Sequence, residues 1–384
     1  MVKSSGTKVI KIGGSLLLNS EDFQEISHQL MEEISHDNSI LVVISAMKGV
    51  TDLLASISEK GFSDLQDILS GVFAKYPEEL SNIAEIGILS QLFSEEAGSH
   101  SNKKAFTDSL VTLGERLSAV SLAMVLLDSG IQANILDPCH IISVSGDGTT
   151  INTKESSEFF NNLKSRIGIG NISIIPGFYG ITATGEIRTL GRGGSDFTAG
   201  VMAYLSDASE LEFWKDVGAV FTGDPGLVEN PRPILQISLD MLKGITNAGS
   251  RILHPLSLGL IDTEKCSVTI RGVRGCLHGK TELVSRDTDC FSIIVSNKMP
   301  LSIPGSLFYE NAPGTSSVTI VADGRPEYRR RILARLQSVL ELWGRNNQSS
   351  FQTSETISTI VAPQDQCVDL ARIIHKELVY GEFQ

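Results

Sequence analysis

Two apolar patterns alternate along the chain. Runs such as "KVIKIGG" (Lys8–Gly14) and "SILVVISAM" (Ser39–Met47) carry Val and Ile at successive positions. "DFQEISHQLMEEISH" (Asp22–His36) instead repeats its apolar residues every three or four positions. Unbroken β-branched runs predict strands covered on both faces, and hence a parallel sheet between helix layers. Further strands are expected at "QANILDP", "NISIIPGF", "ELEFWKDV" and "KCSVTIRG", with helices at "DFTAGVMAYLSD" and "QISLDMLKGITNAG". The stretch from about Leu54 to Leu127 contains several helical patterns and no convincing strand. This is the rhythm of a doubly wound α/β domain with a mostly parallel sheet.

The texture changes after about Thr281. "CFSIIVSN", "SVTIVADG", "PEYRRRILARLQSVLELWG", "TISTIVAP" and "DQCVDLARIIHKEL" read as short strands interleaved with helices. They predict a second, smaller α+β domain. The expected boundaries are 1–285 and 286–384.

Composition narrows the function classes. A formal net charge of −13, with no basic stripe, argues against nucleic-acid binding. "RRR" at Arg329–Arg331 lies beside apolar residues at helical spacing and reads as a solvated helix face. Five scattered cysteines without CxxC predict free thiols in a reducing compartment. Seven histidines show no ligand spacing, so no metal cage is expected. No apolar run is expected to reach membrane-spanning length, and "MVKSSGTK" has no apolar core of signal-peptide size. A cytoplasmic protein without a membrane partner is expected.

Four glycine-bearing turns follow strands. At "KIGGS", Lys11 stands beside Gly13 and Gly14; a cation next to bare backbone suits phosphate, but many Gly-Gly pairs are plain turns. The sharpest turn is "LGRGGSD", where Arg192 is flanked by glycines ahead of a helix expected to begin at Phe197. A capped turn accounts for Ser195 and Asp196 but not for the arginine, which reads as a clamp for carboxylate or phosphate. "LGERLSA" puts Glu115 and Arg116 at a helix start, where a surface ion pair is the plain reading. "FWKDVGAVFTGDP" adds Lys215, Asp216 and Asp224.

In order, "KIGGS", "VVISAMKGVTDLL", "LGERLSA", "GF" at Phe178, "LGRGGSD", "KDV…DP" and "SRILHP" closely resemble the aspartokinase branch of the amino-acid kinase family, over about residues 8–285. The resemblance implies ATP-dependent phosphorylation of the β-carboxylate of L-aspartate to 4-phospho-L-aspartate, toward lysine, threonine and methionine. It implies that Lys11 and the Gly13 and Gly14 amides, with Ser15, hold the transferring phosphoryl, and that Arg192 clamps a substrate carboxylate. Asp196 and Glu115 would bind the substrate ammonium or orient the lysines, and Ser45 and Thr51 would hydrogen-bond the substrate. Lys215, Asp216, Phe221, Asp224 and Arg251 would serve the nucleotide, with Lys11, Asp196 and Arg251 catalytic. Mg²⁺ would arrive with ATP.

Departures fall mostly on the nucleotide side. The glycine of Asp-Val-x-Gly is moved by one, to Gly218. Phe221 stands where the family carries tyrosine, Gly226 where an arginine is common, and Arg251 where a lysine is typical. Ile12 and Leu16 are closer to the wider family. A kinase for another small amino acid or carboxylate, or a weakly catalytic amino-acid-sensing relative, are the alternatives. The tail resembles the ferredoxin-like ACT module, with a reduced first copy at Cys290–Pro313. That implies a homodimer or higher homo-oligomer and a possible amino-acid effector.

Overall fold

The structure is a computed structural model. It describes residues 6–34, 38–60, 65–77, 103–168, 171–191, 193–250, 252–253, 257, 259–273, 279–296, 315–344, 350–353 and 356–380. By packing, the chain divides into two compact units: Met1–Asp216 with Gly259–Ser267 and Gly272–Cys276, and Val217–Leu258 with Val268–Arg271 and Leu277–Gln384.

The first unit holds β1 (Thr7–Ile12), α1 (Asp22–Glu33), β2 (Ser39–Ile44), α2 (Val50–Lys60), α3 (Leu65–Phe73), α4 (Lys103–Val111), α5 (Leu113–Asp128), β3 (Ala133–Ile135), β4 (Ser143–Val144), α6 (Thr153–Leu163), β5 (Ile172–Pro176), β6 (Tyr179–Thr182), β7 (Ile187–Thr189), α7 (Gly194–Leu205) and β8 (Glu210–Lys215). Strands β8, β1, β2, β5 and β3 pair in that order, every pair parallel. Ile10, Ile12, Val42, Ile44, Ile174 and Trp214 enter one fully buried cluster with Phe23, Leu30 and Leu122 of the helices. The continuous Val/Ile runs are therefore strands covered on both faces, as their pattern implies.

α5 is buried around most of its circumference. The stretch Lys104–Asp128 is, by length and composition, long and apolar enough to cross a membrane, contrary to the sequence expectation; 67% of its most apolar part is buried inside the unit, as in a core helix. α7 starts at Gly194, three residues before the expected Phe197, because Gly193 adopts φ 75° and turns the chain into the helix. The small sheet β4–β6–β7 did not stand out in the sequence, its strands being two to four residues long.

The second unit contains β9 (Val220–Phe221), β10 (Pro233–Ile234), β11 (Gln236–Ser238), α8 (Leu239–Asn247), β12 (Ser267–Gly272), β13 (Lys280–Val284), β14 (Cys290–Ser296), β15 (Thr315–Asp323), α9 (Pro326–Gly344), β16 (Ser350–Thr353), β17 (Ile357–Pro363) and α10 (Gln364–Tyr380). "QIS" is strand rather than helix: Ser238 caps α8, its hydroxyl accepting from the Met241 amide at 3.0 Å. Strands β14, β15, β17 and β16 form one antiparallel sheet in that order. α9 and α10 close one face around Ile320, Leu336, Ile360 and Leu370. This is a ferredoxin-like α+β arrangement in which β14 pairs along the whole of β15. Cys290–Ser296 therefore completes this sheet rather than forming part of a separate, reduced first copy; 297–313 lies outside the described residues.

Candidate functional site

The strand register sets the site. Ile12 is level with Ile44 on one side and Trp214 on the other, and Ile44 is level with Pro176. The chain thus leaves β1, β2, β5 and β8 at one edge, where Gly13, Ser45 and Gly177 follow their strands and Lys215 ends β8. The carboxyl ends of parallel strands are where open α/β sheets bind ligands. Lys11 pairs with Phe213, so Lys215, two residues on, points to the same face as Lys11. The first turn of α7 brings Asp196 there.

Three charges meet at that point. Asp196 Oδ1 lies 2.7 Å from Lys11 Nζ, and Oδ2 accepts from Lys215 Nζ at 3.2 Å. Oδ1 is buried, and Lys11 Nζ forms an ion pair with it. Burial opposes ionisation of Asp196, but Lys11 and Lys215 outweigh it and hold the carboxyl at about 2. Burial pulls Lys215 down from its ordinary value, against the attraction of Asp196.

The Gly-Gly turn has a different basis from the one its sequence suggests. Gly13 has φ −73°, an ordinary extended value. A Cβ on Gly14 would lie 2.5 Å from the Ala46 carbonyl oxygen, and one on Gly13 3.3 Å from that of Trp214. The glycines therefore let the turn wedge between neighbouring strand ends. The Gly13 amide donates to Trp214 O at 3.2 Å, so it is not free for phosphate, contrary to the expectation. The next two amides, of Gly14 and Ser15, make no hydrogen bond among the described residues. Ser15 Oγ donates to Asp216 Oδ1 at 2.9 Å.

Glu115 is not a surface residue paired with Arg116. It is 3% exposed on the first turn of α5, and its Oε2 has no hydrogen-bond partner. Burial raises its carboxyl to about 8, against the Ala46 amide, its own amide and the Lys11 charge. Close approach makes this possible: a Cβ on Gly114 would stand 2.7 Å from Ala46 Cβ, and Tyr76 donates its hydroxyl proton to Gly114 O at 2.9 Å. Arg116 turns the other way, donating to Tyr179 Oη at 3.0 Å and lying 3.7 Å from Asp137.

Phe178 has φ 85°, strained for an aromatic residue, and its amide donates to Thr198 Oγ1 of α7 at 3.0 Å. Such a backbone angle leaves no trace in the sequence.

Lys11, Glu115, Asp196 and Lys215 are thus gathered at one place, with Ser15 and Asp216 joined beside them. Ser45 and Thr51 are half-buried at the end of β2 and the start of α2, and among the described residues no hydrogen bond of either hydroxyl is seen. Arg192 and Arg251 lie outside the described residues. Phe221 and Asp224 belong to the second unit: Phe221 is buried in β9, and Asp224 is exposed, accepting from the Gly226 amide at 2.8 Å. Among the described residues no group of three or more His, Cys, Asp or Glu side chains could hold a metal ion.

The model of the amino acid kinase family matches residues 6–272. The chain belongs to the amino acid kinase family. It is 31% identical over 273 residues to an aspartokinase of Geobacillus stearothermophilus, an alignment covering 69% of this chain and 56% of the relative. The chain thus spans about half the length of the curated relatives it matches. In fold it is similar to E. coli aspartokinase III in complex with aspartate and ADP (R-state), with TM-score 0.77, 18% identity, and coverage of 97% of this chain and 99% of that one. The same protein in complex with lysine and aspartate (T-state) gives TM-score 0.73 at 19% identity, over 98% and 100% of the two chains.

Proposed function

We propose that the chain is an aspartate kinase, transferring the γ-phosphoryl group of ATP to the β-carboxylate of L-aspartate. The observation that carries this reading is the buried Lys11–Asp196–Lys215 cluster beside a protonated Glu115. A carboxylate is already a nucleophile, so no general base is required; the barrier lies in bringing one anion onto another. Lys11 and Lys215 supply fixed positive charge for the phosphoryl oxygens, and Asp196 holds both ammonium groups in place. The Gly14 and Ser15 amides stand at the end of β1, where phosphate would approach.

Pairing with the substrate ammonium would favour the ionised form of Glu115, its proton being released to solvent. Ser45 and Thr51 offer hydroxyls, and Arg192 is the proposed carboxylate clamp. Mg²⁺, entering on the nucleotide, would neutralise part of the phosphate charge; Ser15 and Asp216 are the nearest oxygen pair, too few for a cage of their own. Phe221, Asp224 and Arg251 complete the proposed nucleotide set. Residues 1–285 are the proposed catalytic domain and 286–384 an ACT-like domain for homo-oligomer formation and amino-acid sensing. A cytoplasmic role at the head of lysine, threonine and methionine synthesis is proposed with it.

The test is ADP release from Mg-ATP across a panel of acidic and related amino acids, with hydroxylamine trapping any acyl phosphate. Aspartate-dependent ADP with matching hydroxamate is expected. Turnover with another carboxylate alone would move the substrate, and binding of aspartate without turnover would favour a sensing role.

A further inference from the structure

The strand at Val220–Phe221 is two residues long; it pairs with the two residues of β10, and the Thr222 amide extends the hairpin by one bond, donating to the Arg232 carbonyl at 2.9 Å. So short a hairpin does not hold its own geometry. Further anchors on the turn that follows come from the C-terminal sheet and its last helix, inside the same unit. Ser292 Oγ donates to the Phe221 carbonyl at 2.8 Å, and the Ile293 amide donates to the Thr222 carbonyl at 3.1 Å. His375 Nε2 shares a hydrogen bond of 2.9 Å with Thr222 Oγ1. A Cβ on Gly223 would sit 3.2 Å from His375 Cδ2, so the ring packs flush against the turn. Ser292 and His375 are 4% and 1% exposed.

We propose that Ser292 and His375 are positioning residues for the nucleotide, fixing the Phe221–Asp224 turn and through it the affinity for ATP. This rests on the reading of Phe221 and Asp224 as nucleotide contacts. The Thr222 hydroxyl already accepts from the Arg232 amide at 3.0 Å, which leaves its proton for Nε2 of a neutral imidazole. Burial, and then the charge of Arg232, lower His375 from its ordinary value and keep it neutral. Two polar side chains of the C-terminal sheet and helix thus meet consecutive residues of the turn, one the carbonyl and the other the hydroxyl. A role as plain packing would leave nucleotide and aspartate affinity to change together.

The experiment compares the full-length chain with Ser292→Ala, His375→Phe and His375→Gln. It reads steady-state kinetics for both substrates, thermal unfolding, and direct binding of a fluorescent ADP analogue with Mg²⁺. Loss of one net hydrogen bond is worth about three- to tenfold. Ser292→Ala and His375→Phe are expected to raise the ATP KM and the ADP-analogue Kd by that factor, with the aspartate KM changing less than twofold. Glutamine, which keeps a polar group near the position of Nε2, is expected to restore most of the affinity. Unchanged nucleotide affinity in folded variants overturns the inference, as does a parallel change in both KM values. Failure of glutamine to restore what phenylalanine loses overturns the role of His375. A wild-type chain that binds the analogue but does not phosphorylate aspartate refutes the kinase reading and leaves the Kd comparison decisive. One that binds no nucleotide overturns both.

Discussion

Replacing Asp196 by Asn removes the one negative charge between two buried ammonium groups while keeping the shape of the side chain. The folded carboxyl titrates at about 2 against 3.8 in the unfolded chain, which at 1.36 kcal/mol per pH unit is about 2 kcal/mol in favour of the charged form. That figure is a floor for Asn, because Lys11 and Lys215 then face each other without the carboxylate they share, only Asp216 still acting on Lys215 among its named partners. Breaking a buried pair on one side typically costs about 3–5 kcal/mol. The expected loss is about 2–5 kcal/mol, or a fall in Tm of about 4–20 °C for a unit of this size. Thermal unfolding by circular dichroism at pH 7 and at about pH 10 is the assay. Asp196 has a depressed folded pKa, so its contribution is complete above about pH 4 and is lost as pH falls toward 2. The variant should lack that acid limb. It should also recover part of its loss in alkali, where Lys215, already lowered by burial, gives up its proton. A Tm within 2 °C of wild type at pH 7, or an equal deficit at both pH values, would refute the reasoning.

Aspartate binding at pH 7 should release nearly one proton, since Glu115 with a pKa of about 8 is mostly protonated in the free protein and an ammonium partner would ionise it. Calorimetry in phosphate and in Tris should give different heats for wild type and equal heats for Glu115→Gln; equal heats for wild type would sink the idea. Gly14→Ala forces a methyl to 2.5 Å from the Ala46 carbonyl, so the turn must move, at about 1–3 kcal/mol. Gly49→Ala meets no atom within 4 Å and has only its φ of 81° to accommodate, so it should cost about 1 kcal/mol and leave aspartate binding intact. Equal loss of aspartate affinity in the two alanine variants, measured by the same calorimetry, would contradict the wedge at Gly14.

The parallel sheet was legible because β1, β2 and β5 are largely Val/Ile runs, and Lys11 and Lys215 were legible as charges at strand ends, with Asp196 in the glycine-rich turn that opens a helix. Glu115 was named as a substrate residue through the family resemblance, while its local pattern alone read as a surface ion pair with Arg116. Its helix is apolar nearly all round, so no polar face marked an inside, and burial came from Gly114 meeting Ala46. The Gly13 amide was lost to Trp214, a partner about 200 residues away that no local pattern announces. β4, β6, β7, β9 and β10 exist through pairing with other short segments, and two to four residues carry too little periodicity to show it. "CFSIIVSN" was recognised as a strand but given to the wrong module, because sequence records the strand and not its partner β15.

On the proposed reading, the protonation states bear on why the site would suit an acidic substrate. With Glu115 neutral, the buried groups Lys11, Lys215 and Asp196 sum to one positive charge, which favours an incoming anion. An ionised Glu115 would cancel that charge and repel the carboxylates of aspartate. Burial therefore does chemical work here: it keeps the second acid silent until an ammonium group arrives, and only then does the site gain an anion. A substrate with carboxylate and ammonium together satisfies both halves, whereas a dicarboxylate without the amine leaves Oε2 of Glu115 unpartnered in the interior. On the proposed reading, selectivity for an amino acid over its deaminated counterpart follows from the buried acid on α5 as much as from the cations on the strands.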